Sequence, residues 1–290
     1  MELVESVVET KASASLPWEE TLIMPLGDIQ LGAEGCDESK LRGYIEWGMK
    51  HGAYFLGMGD YVDVASPSNR QVLRSANLYD SVQDALEEAA DSAVQRFLKL
   101  VKGTEGRWLG LLEGHHYFEF QDGTTSDTRI AQALKAPFLG SCAFLRLKFA
   151  GRSKSQGRTG CTIWCHHGQG GGSKVSAPLN KLENLMHAFD ADVYLIGHQH
   201  KLVAAPIDQL YMTQKKPYTI KHRTKIIACT GSFLRGYTAG SKRGLRAQGG
   251  YVEKKMLTPV ALGGVMLHIR PVRTQVGGRE ETRLDLNIEL

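Results

Sequence analysis

An α/β fold in one large domain is what this 290-residue sequence predicts, and three observations predict it. Over the first 200 residues, apolar runs of strand length alternate with helical periodicities. Five of the apolar runs end on polar residues able to bind a metal, as strands do when their carboxyl ends line a crevice. Beyond residue 201 the pattern changes to shorter β-like runs, with no repeat, low-complexity linker or composition break at which to divide the chain. Residues 21–290 are therefore expected to form a single domain with a β-rich C-terminal part. Residues 1–20, MELVESVVETKASASLPWEE, are expected to be a flexible N-terminal arm.

The elements follow in order. TLIMPLG (21–27) has strand character, but Pro25 lacks an N–H, which predicts a strand that is short or near an edge. A helical stretch near 38–51 leads into the strand AYFLGMG (53–59). Residues 80–101 form the clearest helix, with Val82, Leu86, Ala89, Ala93, Phe97 and Val101 at helical spacing and Asp80 with Gln83 resembling a capping box. RWLGLLEG (107–114) predicts the next strand, and 126–135 a short helix before Pro137. SCAFLRLKFA (141–150), CTIWC (161–165) and DVYLIG (192–197) are further strands, with a helix from about 179 to 189 before the last. TKIIACTG (224–231) and GGVMLHIR (263–270) continue the β-like pattern.

Composition narrows the class. Hydrophobic residues at 42% with 23% charged belong to a soluble globular protein with a full core. No apolar run reaches the ~18 residues of a membrane span. The acidic start lacks the basic and apolar regions of a signal peptide, so a cytoplasmic location is expected. Five cysteines, odd in number and scattered through apolar segments, suit a reducing compartment; Cys161 and Cys165 share one strand face, as core residues would. The net charge of +4 is uneven, +10 from Lys201 onward and −6 before it. QKKPYTIKHRTK (214–225) and RGYTAGSKRGLR (235–246) interleave cations with tyrosine and glycine, which suits a nucleotide or a DNA or RNA backbone as well as a solvated basic surface.

The five polar strand ends are Gly27-Asp28-Ile29-Gln30, Gly59-Asp60-Tyr61-Val62-Asp63, Gly114-His115-His116, His166-His167 and Gly197-His198-Gln199-His200. They hold six of the ten histidines, too high a share for loops placed at random. Carboxylates with imidazoles make the mixed O and N donor set of manganese, zinc or iron, and there are too many donors for one tetrahedral ion. Two ions about 3.5–4 Å apart would use them all.

The ordered series GD-x-Q, GD-x-x-D, GHH, HHG and GHQH spans residues 27–200 and is followed by TGS at 230–232. It resembles the five motifs of the calcineurin-like metallophosphoesterases, a superfamily of phosphodiesterases, repair nucleases, nucleotidases and phosphoprotein phosphatases. The resemblance implies a β-sandwich of mixed sheets flanked by helices, in four αββα layers, and a binuclear metal centre. Carried over by position, Asp28 and His200 bind the first ion, Asp60 bridges both, and His198 and His166 bind the second, with His167 as the alternative to His166. His116 matches the histidine beside the leaving group, and Asp63 the second acid of its motif, which orients its neighbours. Gln30 stands where the family has the histidine of D-x-H, and His115 where it has the asparagine of GNH; both remain candidate ligands. A neutral amide oxygen at Gln30 tilts the first site toward manganese or magnesium.

The resemblance implies hydrolysis of a phosphoester by water activated between two metal ions. The basic C-terminal third favours a phosphodiester in a nucleotide or nucleic acid; a phosphomonoester is the alternative substrate, and a degenerate, non-hydrolytic binding protein the alternative class. Gly170, Gly171 and Gly172 let backbone approach a phosphate or let a loop bend, and Lys174 beyond them is a candidate substrate contact.

Overall fold

The computed structural model describes residues 11–290 apart from 77, 151–157, 215–217, 239–241, 244–245, 248–250, 255 and 277–278. The first half runs β1 (Lys11–Pro17), β2 (Thr21–Leu26), α1 (Glu38–Lys50), β3 (Tyr54–Gly57), α2 (Pro67–Ser75), α3 (Asp80–Leu100), β4 (Trp108–Leu111), α4 (Ser126–Ala133) and β5 (Cys142–Ala150). The second half runs β6 (Arg158–His166), α5 (Ala177–Leu185), β7 (Val193–Ile196), β8 (Leu202–Met212), β9 (Ile220–Ser232), β10 (Lys242–Arg243), β11 (Arg246–Ala247), α6 (Tyr251–Lys254), β12 (Gly263–Gly264), β13 (Met266–Val276) and β14 (Arg279–Glu289).

Both faces of the central strands are apolar, and each face packs on a different layer. In β6, Cys161, Ile163 and Cys165 point into a core shared with Ile23, Leu56, Leu109, Leu145, Val193, Leu195 and Leu267. Trp164, on the opposite face, packs with Tyr194, Ile227 and Leu182 of α5. In β2, Ile23 joins the inter-sheet core, while Leu22, Met24 and Leu26 pack on α1 and α3 through Leu41, Ile45, Val94 and Phe97. This two-sided burial stacks helix, sheet, sheet and helix, the expected four-layer αββα sandwich, and it explains why these strands are continuously apolar rather than alternating.

Both sheets are mixed, as expected. One has the order β14-β13-β2-β3-β4, with β2, β3 and β4 parallel; the other has β1-β5-β6-β7-β9-β12, with β6, β7 and β9 parallel and β8 antiparallel to β9. β10 and β11 form a separate two-stranded ladder.

Several expectations are corrected. Residues 11–17, assigned to a flexible arm, form an edge strand parallel to β5, with Leu16 buried in the inter-sheet core; residues 1–10 lie outside the described residues. β2 lies inside its sheet despite Pro25. Its pairing with β13 ends at Ile23, so the missing N–H falls where that side has no ladder partner. The expected capping box at Asp80 does not form: Tyr79 is the N-cap, without a side-chain hydrogen bond, and Asp80 already lies in the first turn. The helix expected at 179–189 runs from Ala177 to Leu185. α2 has no apolar periodicity because it buries none of its residues; its local signals were Pro67 in the first turn and Ser66, whose hydroxyl accepts from the Asn69 N–H.

Candidate metal centre

The carboxyl ends of β2, β3 and β4 from one sheet meet those of β6 and β7 from the other at one end of the sandwich, so the five polar segments converge. The backbone changes direction sharply as each strand ends. Seven described non-glycine residues have positive φ, and five belong to these segments: Asp28, Gln30, Asp60, His198 and His200, at φ 47°, 49°, 54°, 64° and 54°. A left-handed conformation costs such residues roughly 1–3 kcal/mol each and persists where surrounding bonds enforce it. Here they do: Asp28 N–H donates to Gly59 O at 3.0 Å, Gln30 N–H to Asp60 O at 2.9 Å, and Phe233 N–H to Asp28 O at 3.1 Å. The Ser232 hydroxyl, from the TGS segment, also donates to Asp28 O at 2.9 Å.

Asp28, Asp60 and His167 form the buried heart of the cluster, with one donor atom of each lying within 4.8 Å of the others. The His167 Nδ1–H donates to Met58 O at 2.7 Å, so Nε2 faces Asp60 Oδ2, 3.4 Å away. Asp28 Oδ1, Asp60 Oδ2 and His167 Nε2 are all buried without a hydrogen-bond partner. Three converging lone-pair atoms need a proton or a cation between them, so these residues fit a divalent ion. Their titration reflects the same demand. Burial pushes the Asp28 carboxyl up, whereas at Asp60 burial is outweighed by the facing His167 imidazole, which holds it well below the usual range. Burial opposes charging His167, but Asp60 and Asp28 raise it to about 9.

His115, His167 and His198 form a second group within 4.8 Å, and Nδ1 of His115 is 3.1 Å from Nδ1 of His198. Burial and the neighbouring imidazoles draw His198 down to about 4 and lower His115 as well, so both rings are neutral donors at neutral pH. His200 Nε2 lies 3.4 Å from Asp28 Oδ1, and Gln30 is buried on the same loop as Asp28. His116 stands beside the cluster with Nδ1 at 2.6 Å from Asp63 Oδ1.

Close backbone approach makes the convergence achievable. A Cβ on Gly114 would run into the backbone N and Oδ1 of Asp60, and one on Gly59 would lie 2.6 Å from His167 Nδ1 and 2.7 Å from Gly114 Cα. Only glycine lets these two turns pack back to back. Asp60 Oδ1 accepts the N–H groups of His115 and His116, and Asp28 Oδ2 that of His198 at 2.7 Å. Each buried carboxylate thus holds a neighbouring loop with one oxygen and leaves the other open.

His167, not His166, is the imidazole that turns toward the carboxylates. The inward face of β6 carries Cys161, Ile163 and Cys165, and 167 continues that parity. His166 lies on the Trp164 face, where its Nδ1 accepts the Gly168 N–H at 2.7 Å and burial lowers its pKa. The glycine-rich loop beyond is pinned by its carbonyls: the Lys201 ammonium donates to Gly172 O and Lys174 O, and Lys181 Nζ to Gln169 O at 2.5 Å. Lys174 itself is exposed on that loop. Of the C-terminal cations, Lys221 pairs with Glu281, Arg223 and Lys225 with Asp190, and Arg235 with Asp37, while Lys215, Lys216 and much of 239–250 lie outside the described residues. Among the described residues no helix is long and apolar enough to cross a membrane.

Sequence reasoning missed Arg70 and Asp127. The buried Asp127 Oδ2 accepts the Gly114 N–H at 2.9 Å, and Arg70 donates to carbonyls on both sides of His116. Neither sits in a motif; the available signals were a lone arginine in a polar stretch and an aspartate within the first turn of a predicted helix.

No protein-family model matches the chain, and no curated protein matches it. Among solved structures the chain is similar to Vacuolar Protein Sorting 29 from Cryptosporidium parvum, with a TM-score of 0.36 and 13% identity, covering 93% of this chain and 100% of that one. It is also similar to wild-type Vps29 complexed with Zn2+ from Entamoeba histolytica, with a TM-score of 0.35 and 12% identity, covering 92% and 99%. Likeness at this level transfers neither chemistry nor partners to the present chain.

Proposed function

We propose that this protein hydrolyses phosphoester bonds with two divalent metal ions, acting as a phosphodiesterase on a nucleotide or nucleic acid. The observation that carries this reading is the trio of buried, unpartnered atoms Asp28 Oδ1, Asp60 Oδ2 and His167 Nε2, set among residues in the order of the metallophosphoesterase motifs. Asp28, His200 and Gln30 would hold one ion, His115, His167 and His198 the other, and Asp60 would serve both. Manganese suits this donor set, with zinc, iron or magnesium as alternatives. Bound there, divalent ions withdraw charge from phosphoryl oxygens and make water a nucleophile near neutral pH.

The chain's own residues supply the rest. His116 keeps a proton to higher pH than an ordinary imidazole: burial works against the imidazolium, but the Asp63 hydrogen bond and the Asp60 charge raise its pKa. Asp63 occupies Nδ1, which leaves Nε2 to donate to the departing oxygen. The buried Asp28 and Asp60 keep their loops rigid through the N–H bonds described above, so the donor set is preorganised. The diester preference rests on the basic C-terminal third of the sequence, and Lys174 is the substrate contact nearest in sequence to His167.

Assaying bis(p-nitrophenyl) phosphate against p-nitrophenyl phosphate with added manganese, with His116→Ala as control, tests this reading. Diester cleavage lost in the variant is the expected result. Cleavage of the monoester alone would replace the diesterase with a phosphatase, and silence on both with manganese bound would favour a non-hydrolytic binding protein.

A further inference from the structure

We propose that Arg70, on α2, is the positioning residue that sets the His115–His116 loop. Its Nη1 donates to Ala65 O at 2.8 Å, His115 O at 2.6 Å and Tyr117 O at 3.1 Å. The guanidinium carbon lies 3.7 Å from the centre of the Tyr117 ring, and the side chain is 11% exposed. One cation therefore ties the loop after β3, which carries Asp60 and Asp63, to the loop after β4, which carries His115 and His116.

The remaining bonds of these loops show what this contact decides. The amides of Gly114, His115 and His116 are held by Asp127 and Asp60, and His116 O accepts from Val64 and Ala65 N–H at 3.2 and 3.3 Å. The carbonyls of His115 and Tyr117, on either side of His116, are the groups that Arg70 fixes. Without it these partly buried acceptors lose a charged donor, and each peptide plane is held from one side alone, by the bonds His116 N–H to Asp60 Oδ1 at 3.0 Å and Phe118 N–H to Ser126 Oγ at 3.1 Å, which loosens the aim of the imidazoles. α2 is suited to deliver such a contact and little else, because it buries no residue. Besides Arg70 it is held through Arg74, whose Nε donates to Glu119 Oε2 at 2.8 Å, and through Leu73 beside Ala90 and Phe118.

The geometry also says which substitution rescues. Three carbonyls converge on one nitrogen that carries two hydrogens, and an ammonium offers three donors from a single point. Lysine at position 70 should therefore restore the loop, although it cannot reproduce the stacking on Tyr117.

The activity arm of the test rests on the hydrolysis proposed above; the structural arm does not. Full-length wild type, Arg70→Ala and Arg70→Lys would be compared by amide hydrogen exchange over residues 113–120, metal-free and with manganese, and by kinetics on bis(p-nitrophenyl) phosphate. We expect exchange in this segment at least tenfold faster in Arg70→Ala, with β5 unchanged, and near wild type in Arg70→Lys. Turnover should fall at least tenfold in the alanine variant with KM within threefold, and recover in the lysine variant. Exchange within twofold of wild type in Arg70→Ala would overturn the proposal, as would loss of protection throughout the chain that lysine does not restore. A wild type without hydrolysis whose loop still responds as expected would leave the positioning role standing and remove the phosphoesterase reading.

Discussion

Nδ1 of His116 and Oδ1 of Asp63 are 2.6 Å apart, joining the ends of two strands across 53 residues of sequence. The carboxylate fixes which ring nitrogen carries the inner proton and holds the imidazole charged to higher pH than burial alone would allow. His116→Ala is expected to keep its manganese content and lose turnover by roughly 10²–10⁴-fold. Asp63→Asn should lose less and shift the alkaline limb of kcat to lower pH, because the proton donor then deprotonates earlier. A pH profile of kcat for both variants checks this, and an unmoved alkaline limb in Asp63→Asn would separate Asp63 from the proton.

Of the adjacent pair His166 and His167, it is His167 that faces the carboxylates, so the two should behave differently. His167→Ala is expected to weaken manganese binding by more than about 100-fold, since even outer partners of metal ligands are worth 10–100-fold. His166→Ala should leave binding within a few-fold of wild type. Equilibrium dialysis of manganese against both variants decides the matter, and equal losses would mean that the two rings share the work.

Asp127 predicts how the metal-free fold responds to pH. Burial pushes its carboxyl up to about 7 from 3.8. The folded state therefore holds this proton more tightly than the unfolded chain. The resulting stability is complete below about pH 4 and is lost as the pH rises through about 7. Asp127→Asn keeps an acceptor for the Gly114 N–H and cannot ionise. Above pH 7 it should be more stable than wild type, with an upper bound on the order of 4 kcal/mol. Urea unfolding from pH 4 to 8 measures this, and parallel curves for the two proteins would be the contrary result.

Gly114→Ala tests the back-to-back turns. The added methyl meets the backbone of Asp60, which is held on both sides and cannot give way as a flexible side chain would. A loss on the order of 3 kcal/mol in urea unfolding is expected, as for overpacking in a filled core. Manganese affinity should fall with it, because Asp60 is displaced. Gly103→Ala separates the two causes of strain: that glycine, unlike Gly114, has a positive φ, 89°, and a Cβ there meets nothing within 4 Å.

Much of the architecture was legible because its causes are local. The apolar runs 21–27, 53–59, 107–114, 161–165 and 192–197 became β2, β3, β4, β6 and β7 because strands buried on both faces must be apolar throughout, and 141–150 became β5, whose burial alternates along the strand. The same rule hid β1, whose KASASLP is half polar, and α2, which fully buries none of its residues. For these, sequence offered turn and cap residues but no periodicity.

By itself the sequence determined which residue types stand at the ends of five strands, and hence a donor set of carboxylates and imidazoles. Tertiary structure decided which of them meet. CTIWC is apolar on both faces, so parity alone does not say whether His166 or His167 points inward; the packing of Trp164 on Phe189 and Tyr194 of the outer layer does. Arg70 and Asp127 gained their roles in the same way, from loops 13 to 47 residues distant in sequence. The physical reason is that a side chain's chemistry is a property of the residue, whereas its direction and its partner are set by the layers that close around it.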